Sequence, residues 1–119
     1  GYQSLIRVTA TTESGKHSVA GTVFDGARGR LVELGRIPVE ATLEGHLLVL
    51  ENEDRPGVVG QLGTFLAERG INIGDMSLGR DEPRGTAIVV LAIDQLLDAE
   101  GLGELLAISD IHWARRISF

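Results

Sequence analysis

The chain of 119 residues contains no cysteine, and its single lysine is Lys16. Without cysteine there is no disulfide framework, thiolate nucleophile or thiolate-bound metal, which suits a reducing cytoplasm. The net charge of −6 and the scattered arginines exclude a nucleic-acid-binding face, because such a face needs clustered Lys and Arg. Apolar runs are far shorter than the roughly 20 residues of a membrane span. We therefore expect neither nucleic acid nor a membrane as a partner.

No catalytic or metal-binding pattern is recognisable among the polar residues. Three histidines are dispersed along the chain, at His17, His46 and His112. Their spacing is not that of metal ligands, and no serine lies in a nucleophile elbow. Gly57, Gly60 and Gly63 do not form a phosphate-binding motif, and we predict that they allow close packing of a helix. We expect no catalytic residues, metal or cofactor in this chain.

The first part of the chain, residues 1–45, contains only strand signals. Alternating apolar and polar residues predict a β-hairpin over residues 5–24, and Arg30 to Gly35 predict a third strand. Pro38 cannot occupy a central ladder position, so residues 37–43 form an edge strand or an extended connector. So short an all-β segment cannot cover both faces of its sheet. It must pack on the second part of the chain, on a partner or on further sequence.

The second part, residues 46–119, has the order β-α-β-β-α-β of a ferredoxin-like α+β sandwich. The apolar run 47–50 predicts a strand that ends before a polar loop at Glu51 to Arg55. Pro56 suits the first turn of a helix, and Gly70 suits its C-terminal cap. The inward face of this helix is predicted from spacings of three and four: Val58, Val59, Leu62, Phe65 and Leu66.

The remaining elements carry equally local signals. Gly74-Asp75 marks a change of side-chain parity that is typical of a β-bulge. Residues 81–85 predict a turn, and residues 87–93 predict a buried strand. Asp98 caps a short second helix with three inward leucines, Leu102, Leu105 and Leu106. The period of two predicts that the last strand places Ile111, Trp113 and Ile117 on one face.

The loop before the first helix has the chemistry to bind a small zwitterion. The N–H groups near Gly57 and Val58 carry partial positive charge at the helix N-terminus. Asn52 and Asp54 offer oxygen acceptors immediately before them. The alternative is that Asp54 only caps the helix and Asn52 only shapes the turn. Spacing alone does not separate these two interpretations.

The pattern ENEDRPGVVGQLGTFLAERGINI, continuing into MSLGRD, resembles the ACT domain, a family of amino-acid-sensing regulatory modules. It is similar to the ACT domain that ends bacterial D-3-phosphoglycerate dehydrogenases, the NAD-dependent first enzymes of serine biosynthesis. The preceding stretch resembles the end of the allosteric substrate-binding domain of those enzymes. Iron–sulfur L-serine dehydratases carry a related regulatory arrangement. The resemblance implies a regulatory fragment, whose parent is an oxidoreductase that uses NAD.

The resemblance also implies a homodimer or higher homo-oligomer and an effector site. In family members two ACT domains pair edge to edge, and an amino acid such as L-serine binds between them to inhibit the enzyme. By motif, Asn52 and Asp54 match the effector-contacting loop, the N–H groups of Gly57 and Val58 face its carboxylate, and Asn72 comes from the other chain. A ligand-free dimerisation module is the alternative. The arginines of residues 1–45 could offer a second anion site.

Overall fold

The computed structural model describes residues 3–12, 15–26, 29–34, 37–41, 44–82 and 84–118, with side chains from residue 37 onward. The elements are β1 (Gln3–Thr12), β2 (Gly15–Gly26), β3 (Gly29–Leu34), β4 (Ile37–Glu40), β5 (His46–Glu53), α1 (Val58–Glu68), β6 (Ile73–Asp81), β7 (Thr86–Ile93), α2 (Ala99–Leu106) and β8 (Ile111–Ser118). They form two four-stranded sheets and two helices among the described residues.

The first sheet is antiparallel and has the strand order β1-β2-β3-β4. β1 and β2 form the predicted hairpin, in which Val8 pairs with Val19. β4 lies at the edge of this sheet, where Pro38 is opposite Glu33, so the prediction of an edge strand is confirmed. The side chains of Arg7 and Arg30 and the whole of Arg28 and Arg36, the suggested anion site, lie outside the described residues.

The second sheet has the strand order β6-β7-β5-β8. All its pairings are antiparallel, and the connections through α1 and α2 give the predicted ferredoxin-like α+β fold. Both helices contribute to one core on one face of this sheet, the helix face: Leu48, Leu50, Val58, Leu62, Leu66, Ile71, Val89, Leu91, Ile93, Leu97, Leu105, Ile111 and Ala114. The helix face therefore holds the main hydrophobic core.

The opposite face of the second sheet, the outer face, is covered by β4 and the residue that follows it. Ile37, Val39 and Ala41 are buried against the side chains of β5, β7 and β8. Trp113 lies in this second core, as its size and apolar ring suggest. The first segment was predicted to pack on the second part of the chain, on a partner or on further sequence. In the structure its strand β4 packs on the second part of the chain.

The C-terminal end of α1 and the start of β6 follow the local sequence signals closely. Gly70 has a φ of 70°, and the N–H groups of Gly70 and Ile71 donate to the carbonyls of Ala67 and Leu66. These two bonds form a Schellman motif, which confirms the predicted cap. The pairing of β6 with β7 shifts between Ile73 and Asp75, so the predicted bulge at Gly74 is confirmed.

The prediction for the last strand is wrong at its first residue. Ile111 lies in the helix-face core, whereas Trp113 and Ile117 lie on the outer face. The pairing with β5 places Trp113 opposite Glu51 and Ile111 opposite Asn52, which leaves His112 as an extra residue. A bulge of one residue reverses the side-chain parity, and the sequence carries no glycine to announce it.

The second helix begins with a side-chain cap, as predicted. Asp98 has extended backbone angles, and its Oδ1 accepts a hydrogen bond of 2.7 Å from the Gly101 N–H. We expect Asp98→Ala to lower the free energy of unfolding by about 1 kcal/mol, because this N–H loses its partner. Urea denaturation measures the change. Asp98→Asn, which keeps a capping oxygen, serves as the control, and an equal loss in both variants would contradict the capping role.

Candidate functional site

The loop between β5 and α1 is shorter than the sequence indicated. β5 continues to Glu53, so Asn52 is a strand residue and only Asp54 to Gly57 connect the strand to the helix. Gly57 has a φ of 91°, and Val58 N lies 3.5 Å from the Arg55 carbonyl oxygen. Pro56 followed by a left-handed glycine is typical of a type II turn. The prediction that Pro56 opens the helix is therefore wrong, since the left-handed Gly57 delays the helix to Val58.

The N-terminus of α1 has no side-chain cap. Gly57 is the capping residue, and no side chain accepts a hydrogen bond there. Among the described residues the N–H groups of Gly57 and Val59 have no backbone partner, and that of Val58 has only the long bond to Arg55. The first amides of α1 are therefore available to an anion.

Asp54 does not cap the helix, so the capping interpretation of this residue is wrong. Its Oδ2 instead accepts a hydrogen bond of 2.7 Å from Arg80 Nε, on the neighbouring end of β6. This ion pair raises the pKa of the Arg80 guanidinium, through the hydrogen bond first and the charge of Asp54 second. Arg80 was not predicted as a site residue, because only the sheet register brings it to Asp54.

Further contacts fix the loop to its neighbours. The N–H of Glu53 donates to the Asp110 carbonyl at 2.8 Å, and the N–H of Asp54 donates to the Gly85 carbonyl at 2.9 Å. The Arg55 guanidinium pairs with the Asp110 carboxylate, which raises the pKa of Arg55. The loop is thus attached to the β6–β7 turn and to the α2–β8 connection.

Asn52 is buried and only partly hydrogen-bonded. Its side chain is 2% exposed and shares the helix face with Leu48 and Leu50. Asn52 Nδ2 donates to the Glu53 carbonyl at 2.8 Å, whereas Asn52 Oδ1 has no hydrogen-bond partner. An unsatisfied buried acceptor costs about 1–3 kcal/mol, so its presence on the sheet face that α1 covers calls for a donor.

Asn72 is not brought to the loop within one chain. It precedes β6, whereas Asp54 lies at the other end of that strand, about 23 Å away for seven sheet positions at 3.3 Å each. Asn72 Nδ2 donates to Asp94 Oδ2 at 3.0 Å, and the Asp94 N–H donates to the Asn72 carbonyl, also at 3.0 Å. A single chain therefore supplies only part of the predicted site: Asn52, Asp54, Gly57 and Val58.

One face of α1 is open, and the edge of β6 exposes apolar side chains. A Cβ added at Gly60 or Gly63 would meet nothing within 4 Å, so the prediction that these glycines pack closely is wrong for the isolated chain. Val59 is 40% exposed rather than inward-facing. Met76 and Leu78 are 44% and 41% exposed on β6, an edge strand of the described sheet. An exposed apolar edge strand is suited to pairing with another chain.

Two further features concern metals and membranes. Among the described residues no group of three His, Asp or Glu side chains could hold a metal ion. His112 contacts Glu51 and Glu53, with nitrogen–oxygen distances of 3.3 and 3.7 Å. Neither α1 nor α2, the two helices in the described residues, is long and apolar enough to cross a membrane.

The fold and the open helix start define the class of protein. Residues 46–110, more than half of the chain, match the family model of the ACT domain, and the chain belongs to this family. The resemblance carried by DRPGVVG and GINI is confirmed.

The chain is also similar to D-3-phosphoglycerate dehydrogenases. It is 32% identical to that of Bacillus subtilis over 111 residues, or 93% of this chain and 21% of the enzyme. The Archaeoglobus fulgidus enzyme is 32% identical over 112 residues, or 92% of this chain and 21% of the enzyme. D-3-phosphoglycerate dehydrogenase 2, chloroplastic, of Arabidopsis thaliana is 33% identical over 102 residues, or 86% and 16%. The chain thus spans about a fifth of the length of these relatives.

Proposed function

We propose that this chain is the regulatory region of a cytoplasmic, NAD-dependent D-3-phosphoglycerate dehydrogenase and binds L-serine, or a similar small amino acid, for feedback inhibition. The observation that carries the proposal is the buried, unpartnered Asn52 Oδ1 beside the uncapped start of α1. A buried acceptor and open amides at one place suit a ligand that has both donors and a carboxylate. The parent enzyme supplies NAD binding and dehydrogenation from other domains.

The ligand is an α-amino acid because the site offers N–H donors for a carboxylate and oxygen acceptors for an ammonium group close together. The amides of Gly57 and Val58 face its carboxylate, which the helix dipole favours. Asp54 accepts a charge-assisted hydrogen bond from its ammonium group. The Oδ1 of Asn52 accepts a further hydrogen bond from the ammonium or from the hydroxyl of serine.

The site is completed by a second copy of the chain, through the free edge of β6. Antiparallel pairing of two β6 strands about a two-fold axis near Met76 carries the start of one strand to the end of the other. The partner's Asn72, just before the start of its β6, then comes to the end of β6 that holds Arg80 and Asp54. The exposed side chains of Met76 and Leu78 become covered at the same interface.

Titration calorimetry of the dimeric protein with L-serine, D-serine and glycine tests the proposal. We expect heat with L-serine and weaker binding of D-serine, since a site formed by several fixed groups distinguishes the two mirror images. A dimer that binds none of the three would support a ligand-free dimerisation module instead. Binding that survives in the variant with both Asp54→Ala and Asn72→Ala would reject the site even if serine binds.

A further inference from the structure

The pair formed by Asp54 and Arg80 is held through one atom on each side. Arg80 Nε donates to Asp54 Oδ2 at 2.7 Å. Within the described residues, neither Asp54 Oδ1 nor the two Nη groups of Arg80 has a hydrogen-bond partner. Both side chains keep contact with solvent, at 22% exposed for Asp54 and 56% for Arg80. The pair therefore presents an unused anionic oxygen and unused cationic N–H groups side by side.

Arg80 lies where the parts of the proposed site meet. The register places Arg80 opposite Ala87 and Ala87 opposite Asn52, so the three share the helix face of the sheet. This is the face on which α1 begins and Asn52 Oδ1 lacks a partner. Arg80 is also near the end of the edge strand, which the partner's Asn72 reaches in the proposed dimer.

An adjacent cation and anion match the two charged ends of an α-amino acid. The ammonium group can bind Asp54 Oδ1 while the carboxylate accepts from the Nη groups of Arg80, because the Nε contact leaves both free. A ligand with only one charged end would meet the like charge of the pair without compensation. The arrangement thus favours a zwitterion over an amine or an acid of the same size.

We propose that Arg80 is a specificity-determining residue that binds the α-carboxylate of the amino acid, beside the amides of α1. This inference rests on the proposed function and extends it, since it assigns a side-chain cation to a carboxylate otherwise held by backbone groups. Arg80 keeps its contact with Asp54 through Nε when the ligand binds, so the ion pair orients both recognising groups.

The test measures the affinity of the dimeric protein for L-serine and for serinol, which keeps the amine but lacks the carboxylate. We expect Arg80→Gln to weaken L-serine binding about tenfold to a hundredfold, because a charge-assisted hydrogen bond is lost. The preference for L-serine over serinol should shrink by a similar factor. Arg80→Lys keeps the charge but loses the planar fork, and it should give an intermediate affinity.

Arg84→Gln is the matched control. Arg84 is an exposed arginine in the next turn, paired with Asp81 at 3.6 Å, and its loss should change serine affinity less than about twofold. If the Arg80→Gln variant binds L-serine as tightly as the wild type, or more tightly, the inference is overturned. Arg80 would then only bind Asp54, or compete with the ammonium group of the ligand for it. A wild-type dimer that binds no amino acid would overturn the proposed function as well. Thermal unfolding of each variant checks that the fold is retained.

Discussion

Replacing Gly79 with alanine is expected to lower the free energy of unfolding by about 1–3 kcal/mol, by overpacking the contact between the two sheets. Gly79 lies on the outer face of β6, under β4. A Cβ at this position would lie 2.5 Å from Ile37 Cγ2, 2.7 Å from the Pro38 carbonyl oxygen and 2.8 Å from Val39 Cγ2. One of these atoms belongs to the backbone, so rotation of side chains alone cannot relieve the contact. Urea denaturation measures the loss.

Gly63→Ala provides a matched control with the opposite expected sign. A Cβ at Gly63 meets nothing within 4 Å, and alanine in a helix is about 1 kcal/mol more favourable than glycine. Adding Ile37→Ala to Gly79→Ala should not restore the stability, since the Pro38 carbonyl and Val39 Cγ2 remain close and the buried Ile37 side chain is lost. If Gly79→Ala is as stable as the wild type, β4 does not lie against β6 as described.

Mixing two inactive variants is expected to restore amino-acid binding. Asp54→Ala and Asn72→Ala should each remove binding from their own homodimers, because each proposed site needs Asp54 from one chain and Asn72 from the other. After subunit exchange, about half of the dimers are mixed, and each mixed dimer contains one intact site of two. Half of the dimers, each with half of its sites intact, give about a quarter of the wild-type binding capacity. Calorimetry with L-serine should find this capacity at wild-type affinity.

The control is a mixture of wild type with the double variant Asp54→Ala, Asn72→Ala, whose mixed dimers have no intact site. Mass-labelled chains establish that exchange has occurred. No recovery in an exchanged mixture of the two single variants, with normal binding in the wild type, would mean that one chain supplies both residues. That result would exclude the edge pairing of β6 as the origin of the site.

Much of the fold followed from local signals in the sequence. Gly70, Gly74 and Asp98 each mark a backbone feature that depends on a few neighbouring residues, and the structure has all three. The order of strands and helices followed from hydrophobic periodicity in the same way. Features of this kind are predictable because their cause lies within a few residues of their position.

Features that depend on contacts across the sheet were not predictable. The bulge at His112 arises from the pairing of β8 with β5, and nothing at residues 111–113 announces it. The contact of Arg80 with Asp54 joins residues 26 positions apart. It requires the register of β6. The left-handed backbone of Gly57, which moved the helix start beyond Pro56, was not predicted either.

The site residues show the same difference between what local sequence predicts and what only the structure reveals. The family resemblance named Asp54 and Asn72, but only the structure shows that one chain keeps them at opposite ends of β6. The burial of Asn52 and its unused Oδ1 also required the structure, since the sequence placed this residue in an open loop. Composition and spacing do not reveal which polar atoms lack a partner.

The attachment of the β5–α1 loop to its two neighbours has a kinetic consequence. Because the Asp54 N–H is bound to the Gly85 carbonyl and Arg55 to Asp110, this part of the proposed pocket is ordered without a ligand. Little ordering entropy is then lost by the loop on association, and encounter need not wait for it to close. Differences in affinity among related amino acids should accordingly reside mainly in their residence times.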